Sequence, residues 1–448
     1  MNIGKGDIVY FLGIGGIGMS ALARYFQCFG AEIHGYDKTA TALTDSLQSE
    51  GMQIHFDDRP DLIPAKTSLI VYTPAVPKTL KEFQVLSASG KPMMKRAEVL
   101  GSISRIMPTI AVAGTHGKTS VSSMIAHILH QAGVPFTAFI GGIANNFHSN
   151  LVLHPHSRWL VVEADEYDRS FLHLRPHIAV VTSMDPDHLD IYGNHENMVA
   201  NYRSFAGNVI GNGHLILRHG LQITHDKARC QFFAIGKEAD FTAEDIQIEN
   251  DRYRFTMHTP AGTYPASLSS PGQHNVLNAL AAAAACMAAG IEASTIAAAL
   301  TTYKGVRRRF DIIINYPDFL YIDDYAHHPE ELKAAIGTAR SIRPGKHLTG
   351  IFQPHLYSRT RDFMDGFAES LSMLDRLILL DIYPARELPI DGISSAGLLE
   401  KVRLNDKILL TMDEALSFLK NNPTEVLMTL GAGDIDRMVL PLKSMFER

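Results

Sequence analysis

TIAVAGTHGKTSVSSMIAHILHQAG, residues Thr109–Gly133, decides the fold. An apolar run suited to a buried strand passes through a glycine turn into a segment with helical apolar spacing, which Gly133 closes. Strand, glycine turn and helix is the order in which α/β proteins hold phosphates. The turn is compressed: the pattern G-x-x-x-x-G-K-[ST] would put its first glycine where Val112 stands. Amides from Gly114 through Thr115, His116 and Gly117 to Lys118 and Thr119, with Ser120 next, can still form an anion-binding nest. Lys118 can reach terminal phosphates and the Thr119 hydroxyl can ligate magnesium, while the short spacing sets the loop apart from the common GTPases and kinases.

Two further strands end in polar residues. "WLVVEADEYD" offers Glu163, Asp165 and Glu166, and "IAVVTSMDPDHLD" offers Asp185, Asp187, His188 and Asp190. In a parallel sheet these ends gather beside the phosphate turn. Glu163 is the natural magnesium carboxylate; His188, softer than magnesium prefers, reads equally as a ligand or as an ordinary polar side chain. Residues 240–270 alternate polar and apolar around turn signals, which predicts a small antiparallel sheet. "PGQHNVLNALAAAAACMAAG" then opens a helix with His274, Asn275 and Asn278 in its first turns, placed to hydrogen-bond a base or to cap the helix.

Towards the N-terminus, "DIVYFLGIGGIGMSALARYF" is again strand, turn and helix, with Gly13, Gly15 and Gly18 at G-x-G-x-x-G spacing and Gly16 between them. Asp37 ends the next strand, where a Rossmann unit carries its ribose-binding acid. NAD, another nucleotide and a purely structural turn all fit this motif. Thr73 stands at the polar end of "LIVYTPAVP", and Arg96 opens a helix near that end as a site residue or a solvated one. Beyond "GVRRRFD", strands and helices alternate once more, predicting a second doubly wound sheet whose strand ends carry Asp323, Asp324, Tyr325, His327, His328, His355, Arg359, Arg361, Arg386, Glu387 and Asp434. No cysteine or third histidine stands at ligand spacing from His327 and His328, so a substrate or nucleotide contact outranks zinc.

A chain of 448 residues divides into about three domains. The blocks above give residues 1–107, 108–309 and 310–448: an α/β protein with an N-terminal Rossmann-like domain, a central P-loop domain with a mostly parallel sheet, and a C-terminal Rossmann-like domain. Hydrophobic residues at 46% and charged residues at 20% suit a globular enzyme, and a net charge of -6 argues against a nucleic-acid partner. Cys28, Cys230 and Cys286 match no metal or redox spacing and read as buried thiols in a reducing, cytoplasmic compartment. The early apolar stretch after Lys5 could pass for a signal peptide, but its glycine spacing and early Asp7 argue otherwise, and the alanine run, with Asn275 and Asn278 at its start, is too short for a membrane span.

Taken in order, "GIGGIGMSALA", "AGTHGKTS", "VVEADEYDRSFLHLRP", "DHLDIYG", "PGQHNVLNALAA", "GVRRRFD", "DDYAHHPEE" and "FQPHLYSRTRDF" resemble the bacterial Mur ligases along essentially the whole chain. The resemblance implies ATP-dependent amide-bond formation through an acyl phosphate, adding L-alanine to UDP-N-acetylmuramate in peptidoglycan synthesis. A recycling ligase that attaches a preformed tripeptide to the same nucleotide is the alternative. The family resemblance assigns Gly13, Gly15, Gly16, Gly18, Asp37, Thr73 and Arg96 to the UDP substrate. ATP falls to the 114–120 turn, to His274, Asn275 and Asn278, and to Arg308 and Asp324. Magnesium falls to Thr119, Glu163 and His188; Tyr325, His327 and Arg359 serve the amino acid and the reacting carboxylate, and Lys118, Glu163, His188, His327 and Arg359 form the catalytic set. The pattern departs from many relatives at Leu356, where they carry arginine; Arg361 or Arg386 is the expected substitute. The resemblance is compatible with a monomer or a homodimer.

Overall fold

The computed structural model describes residues 3–187, 189–249, 252–385 and 387–448. Its backbone builds three sheets. The first holds β1 (Ile8–Leu12), β2 (Glu32–Tyr36), β3 (Gln53–His55), β4 (Thr67–Tyr72) and β5 (Met93–Lys95), all parallel in the order β3-β2-β1-β4-β5. Strand order reverses at β1 and β4, which is where doubly wound sheets open a ligand crevice. The Gly13 turn leaves β1 at this point.

The second sheet holds β6 (Thr109–Ala113), β7 (Phe136–Ala144), β8 (Ser149–Val152), β9 (Trp159–Glu163), β10 (Ile178–Val181), β11 (His214–Arg218), β12 (Arg229–Ile235), β13 (Phe241–Glu249), β14 (Arg252–Thr259) and β15 (Gly262–Leu268). Their order is β15-β14-β13-β12-β11-β10-β6-β9-β7-β8. Ladders from β7 across to β13 are parallel and β8 runs antiparallel on β7. The small sheet expected over residues 240–270 is thus the margin of this one. β6 lies between β9 and β10 and is wholly buried, as a strand covered on both faces must be.

The third sheet holds β16 (Asp311–Asn315), β17 (Leu320–Asp324), β18 (Leu348–Phe352), β19 (Arg376–Leu379), β20 (Asp406–Leu409) and β21 (Val426–Leu430), ordered β16-β17-β21-β18-β19-β20. All ladders are parallel except that of β16 on β17.

Three α/β domains pack as two compact units: Met1–Glu244 with Met257–Tyr264 and Asn278–Leu300, and Asp245–Thr256 with Pro265–Leu277 and Thr301–Arg448. The first two domains share a unit because their cores are continuous. Tyr25, on the helix Ile17–Cys28, packs on Phe139 of β7 with ring centroids 5.6 Å apart. Buried Asn150 of β8 donates to the Ile17 carbonyl of that helix and accepts from Arg24. The alanine run lies in the helix Gln273–Ala288, where Ala279 through Ala285 are fully buried. Among the cysteines only Cys286 is buried; Cys28 is exposed and Cys230 half-buried, because the former stands at the exposed C-terminal end of the helix Ile17–Cys28 and the latter lies on β12 near its start. Among the described residues no helix is long and apolar enough to cross a membrane.

Candidate functional site

β6 ends at Ala113 and the helix Lys118–Gln131 starts at Lys118, leaving four residues for the turn. Gly117 caps that helix at φ +83°, a left-handed conformation that favours glycine, and a Cβ there would lie 2.5 Å from Asn278 Oδ1. The segment after β10 grips the turn from another side. The amides of Thr115 and His116 donate to the carbonyl and hydroxyl of Ser183, the Thr115 hydroxyl donates to the Asp185 carbonyl at 2.8 Å, and the Thr182 hydroxyl donates to the His116 carbonyl. The compressed loop therefore takes its shape from Thr182–Asp185 rather than from an additional glycine. Two of the amides expected to line the nest, those of Thr115 and His116, are engaged in this way.

Lys118 Nζ donates to the Gly114 carbonyl at 2.7 Å and pairs with both oxygens of buried Glu166 at 2.8–2.9 Å. Burial alone would lower the Lys118 pKa, but Glu166, Asp165 and Glu163 outweigh it and hold the ammonium above its ordinary range. Glu163 ends β9 in register with Val112. It accepts from the Gly141 amide at 2.7 Å and from the Ser122 hydroxyl at 3.3 Å. Thr119 is buried in the first helical turn, with Ser120 half-buried beside it. A threonine hydroxyl and a carboxylate are hard oxygen donors, and magnesium uses one or two carboxylates together with phosphate oxygens, so this set fits the ion. His188 lies outside the described residues. Among those described, no group of three His, Cys, Asp or Glu side chains could hold a metal ion by itself.

In the same unit, the residues expected around the Gly13 turn converge. Asp37 accepts from the Gly15 amide at 2.7 Å, and Gly16 begins the helix Ile17–Cys28 as its cap. A Cβ on Gly13 would touch Thr73, and one on Gly18 would collide with the Arg96 guanidinium. Arg96 Nη2 donates to Asp165 at 3.0 Å and Lys95 pairs with Asp168 at 2.7 Å. The stretch Glu163–Arg169 therefore alternates its partners: Glu166 binds the lysine of the phosphate turn, and Asp165 binds the arginine at the glycine turn. Asp168 and Arg169 sit at φ +52° and +55°, a left-handed strain for non-glycine residues.

The second unit gathers the remaining candidates around the end of β17. Tyr325 has the Arg308 and Arg309 guanidiniums 5.1 and 5.0 Å from its ring centre. Arg308 donates to the Gly431 carbonyl at 2.7 Å and faces Asp323 and Asp436 at 3.5 Å. Asp324 accepts from the amides of Phe310 and Ala326, both at 2.7 Å, so its carboxylate ties the linker to the strand end. Burial lifts Asp324 to about 7, against the pull of Arg309, and lifts Asp323 to about 6. His328 caps the helix Pro329–Ile342. His327 turns instead to Glu331, which also faces Arg309. His355 lies 3.4 Å from buried Arg359 and stacks on Tyr383. Burial pushes His274 down to about 4, opposed by Glu331, and Asn275 donates to the Pro271 carbonyl at 2.8 Å.

Leu356 is buried at φ +70°, its amide bonded to the Tyr383 carbonyl; Arg361, one expected substitute for the absent arginine, is paired with Asp362, and Arg386 lies outside the described residues. Sequence reasoning missed Glu331. Its only signal is a place in the first helical turn after "DDYAHHP", where an acid usually serves the helix dipole. It also missed Gln353, whose amide group ties Asp434 and Ile435 to β18.

A short glycine turn with a carboxylate-held lysine shares one unit with the Gly13 turn, and a third α/β domain follows; comparison with known proteins identifies this architecture as that of an ATP-dependent ligase. The chain belongs to the Mur ligase family. Residues 8–106 match the family's catalytic domain, residues 112–286 its middle domain and residues 308–433 the glutamate ligase domain. It is 46% identical to the UDP-N-acetylmuramate–L-alanine ligase of Porphyromonas gingivalis, over 98% of this chain and 99% of the relative. The protein of that name from Flavobacterium psychrophilum is 47% identical over 99% of each chain. The crystal structure of UDP-N-acetylmuramate–alanine ligase from Thermotoga maritima superposes with a TM-score of 0.84 at 26% identity, over 98% of this chain and 99% of that one. A murein peptide ligase from Psychrobacter arcticus shares the fold, with a TM-score of 0.73 at 22% identity over 98% and 99%.

Proposed function

We propose that the chain is an ADP-forming ligase that joins L-alanine to the lactyl carboxylate of UDP-N-acetylmuramate, a cytoplasmic step of peptidoglycan precursor synthesis. End-to-end identity of 46–47% with proteins named for that reaction supports the substrate pair. The observation that carries the chemistry is the linked pair of turns, Lys118 on Glu166 and Arg96 on Asp165.

A carboxylate is a poor acyl electrophile. Attack of its oxygen on the γ-phosphorus of ATP expels ADP and leaves an acyl phosphate, from which phosphate departs when the alanine nitrogen attacks the carbonyl carbon. Negative charge builds on the transferring group, and the Lys118 ammonium is the cation to meet it, exchanging the carbonyl and Glu166 oxygens it now holds for phosphate oxygens. Thr119, Glu163 and His188 would hold Mg2+, which when bound neutralises phosphate charge. Residues 1–107 take the UDP substrate through the Gly13–Gly18 turn, Asp37, Thr73 and Arg96. Residues 108–309 take ATP through the 114–120 turn, with His274, Asn275 and Asn278 at the base, while Arg308 and, from residues 310–448, Asp324 serve its phosphate and ribose. Residues 310–448 receive the amino acid at Tyr325, His327 and Arg359. The working form is a monomer or a homodimer.

ADP release should require UDP-N-acetylmuramate and L-alanine together, and Lys118→Ala should abolish it while UDP-N-acetylmuramate still binds. Release from ATP alone, indifferent to both co-substrates, sinks the reading; loss of sugar-nucleotide binding in Lys118→Ala sinks the division of labour.

A further inference from the structure

The amine that attacks the acyl phosphate must first lose a proton. His327 stands between β17 and the helix Pro329–Ile342, and its Nδ1 is held by acceptors: the Tyr325 carbonyl at 2.9 Å and Glu331 Oε2 at 3.2 Å. The same Glu331 oxygen accepts from the His327 amide at 3.0 Å, so one carboxylate fixes both the backbone and the ring. Glu331 is in turn faced by Arg309, 3.9 Å away, which keeps a negative charge favourable there. Tyr325, whose ring meets the imidazole edge-on at 5.2 Å, and His355 at 6.3 Å also face it, and Asp324 and His274 both sense the Glu331 charge. A carbonyl and a carboxylate both demand a hydrogen, so Nδ1 carries it, and in the neutral ring the lone pair lies on Nε2.

We infer that Glu331 is a positioning residue for amide formation: with the Tyr325 carbonyl it locks His327 in the Nδ1–H tautomer, so that Nε2 takes a proton from the incoming amine. This rests on the reading that His327 serves the amino-acid side. The alanine ammonium carries two protons more than the amide nitrogen it becomes. One passes to Nε2, giving an imidazolium that the Glu331 carboxylate stabilises. The nitrogen lone pair forms the C–N bond as the C–O bond to phosphate breaks, and the second proton leaves with the phosphate as hydrogen phosphate.

Hydroxylamine is largely unprotonated near neutral pH and attacks acyl phosphates without a base, so it separates positioning of the base from simple integrity. ADP release is measured with the full chain, ATP and UDP-N-acetylmuramate, using L-alanine or hydroxylamine as acceptor, from pH 6 to 9. Glu331→Ala should lower kcat with alanine at least about tenfold, move the acid limb of that profile to lower pH, and leave the hydroxylamine rate within about twofold. Glu331→Gln keeps an acceptor for both His327 hydrogens but not the charge, so its kcat with alanine should stand several-fold above that of Glu331→Ala while the acid limb stays displaced, and His327→Asn should match or exceed the alanine loss of Glu331→Ala. Equal losses with both acceptors, or no loss with alanine, would overturn the role of Glu331. A wild-type chain that releases ADP with hydroxylamine but never with alanine would overturn the amino-acid reading itself, and this inference with it.

Discussion

Gly141 shows how tightly single residues are specified. Its amide holds Glu163 at 2.7 Å, and a Cβ would lie under 3.0 Å from the other oxygen of that carboxylate. Gly141→Ala should therefore displace Glu163 and lower ATP turnover about a hundredfold, while destabilising the fold by only about 1–3 kcal/mol. Steady-state rates beside a urea titration check this; turnover within a factor of two would contradict it. Asp323 and Asp324 make a second residue-scale case. Their folded values of about 6 and about 7 lie above the ordinary 3.8, so the folded chain keeps protons that the unfolded chain has released. The resulting stabilisation is complete below about pH 4 and is lost as pH rises through about 6 to 7, at up to about 1.4 kcal/mol per pH unit for each group. Asp324→Asn cannot titrate, so its stability deficit against wild type should shrink between pH 4 and pH 7.5. A deficit that stays constant or widens contradicts the raised value.

At the scale of elements, the segment Glu163–Arg169 links the two turns, since Asp165 holds Arg96 and Glu166 holds Lys118. Arg96→Ala should weaken UDP-N-acetylmuramate binding about 10- to 100-fold, as loss of a charge-assisted contact does, with ATP affinity changed less than about twofold. Calorimetry with each nucleotide tests it; equal weakening of both would mean that Arg96 supports the fold rather than one ligand. The strand–turn–helix units at Gly13 and Gly114 are legible in the sequence because an apolar run, a glycine spacing and a helical period each report locally. So are Asp37, Thr73 and Arg96, which stand at the ends of readable strands. β16 is less legible, because "DIIIN" is a short apolar run without alternation. Glu331 and the Glu166–Lys118 pair are hidden for another reason: their partners are set by tertiary packing, and a first-turn acid or one acid among several carries no mark of the cation it will meet.

At the scale of the molecule, the chain forms two compact units where three blocks of sequence are readable, since the Tyr25–Phe139 contact and buried Asn150 join the first two domains. Those contacts lie on apolar faces that look like ordinary core positions until the partner is known. A single unit carrying both glycine turns suits the proposed enzyme, which brings a phosphate donor and a sugar-nucleotide carboxylate to one reaction. The most direct measurement is the mass of the product formed when the chain receives ATP and UDP-N-acetylmuramate with equal amounts of L-alanine and the tripeptide L-Ala-D-Glu-meso-diaminopimelate. The expected product is UDP-N-acetylmuramoyl-L-alanine in one-to-one ratio with ADP; a product carrying the tripeptide, or ADP without any amide product, would contradict the L-alanine ligase reading.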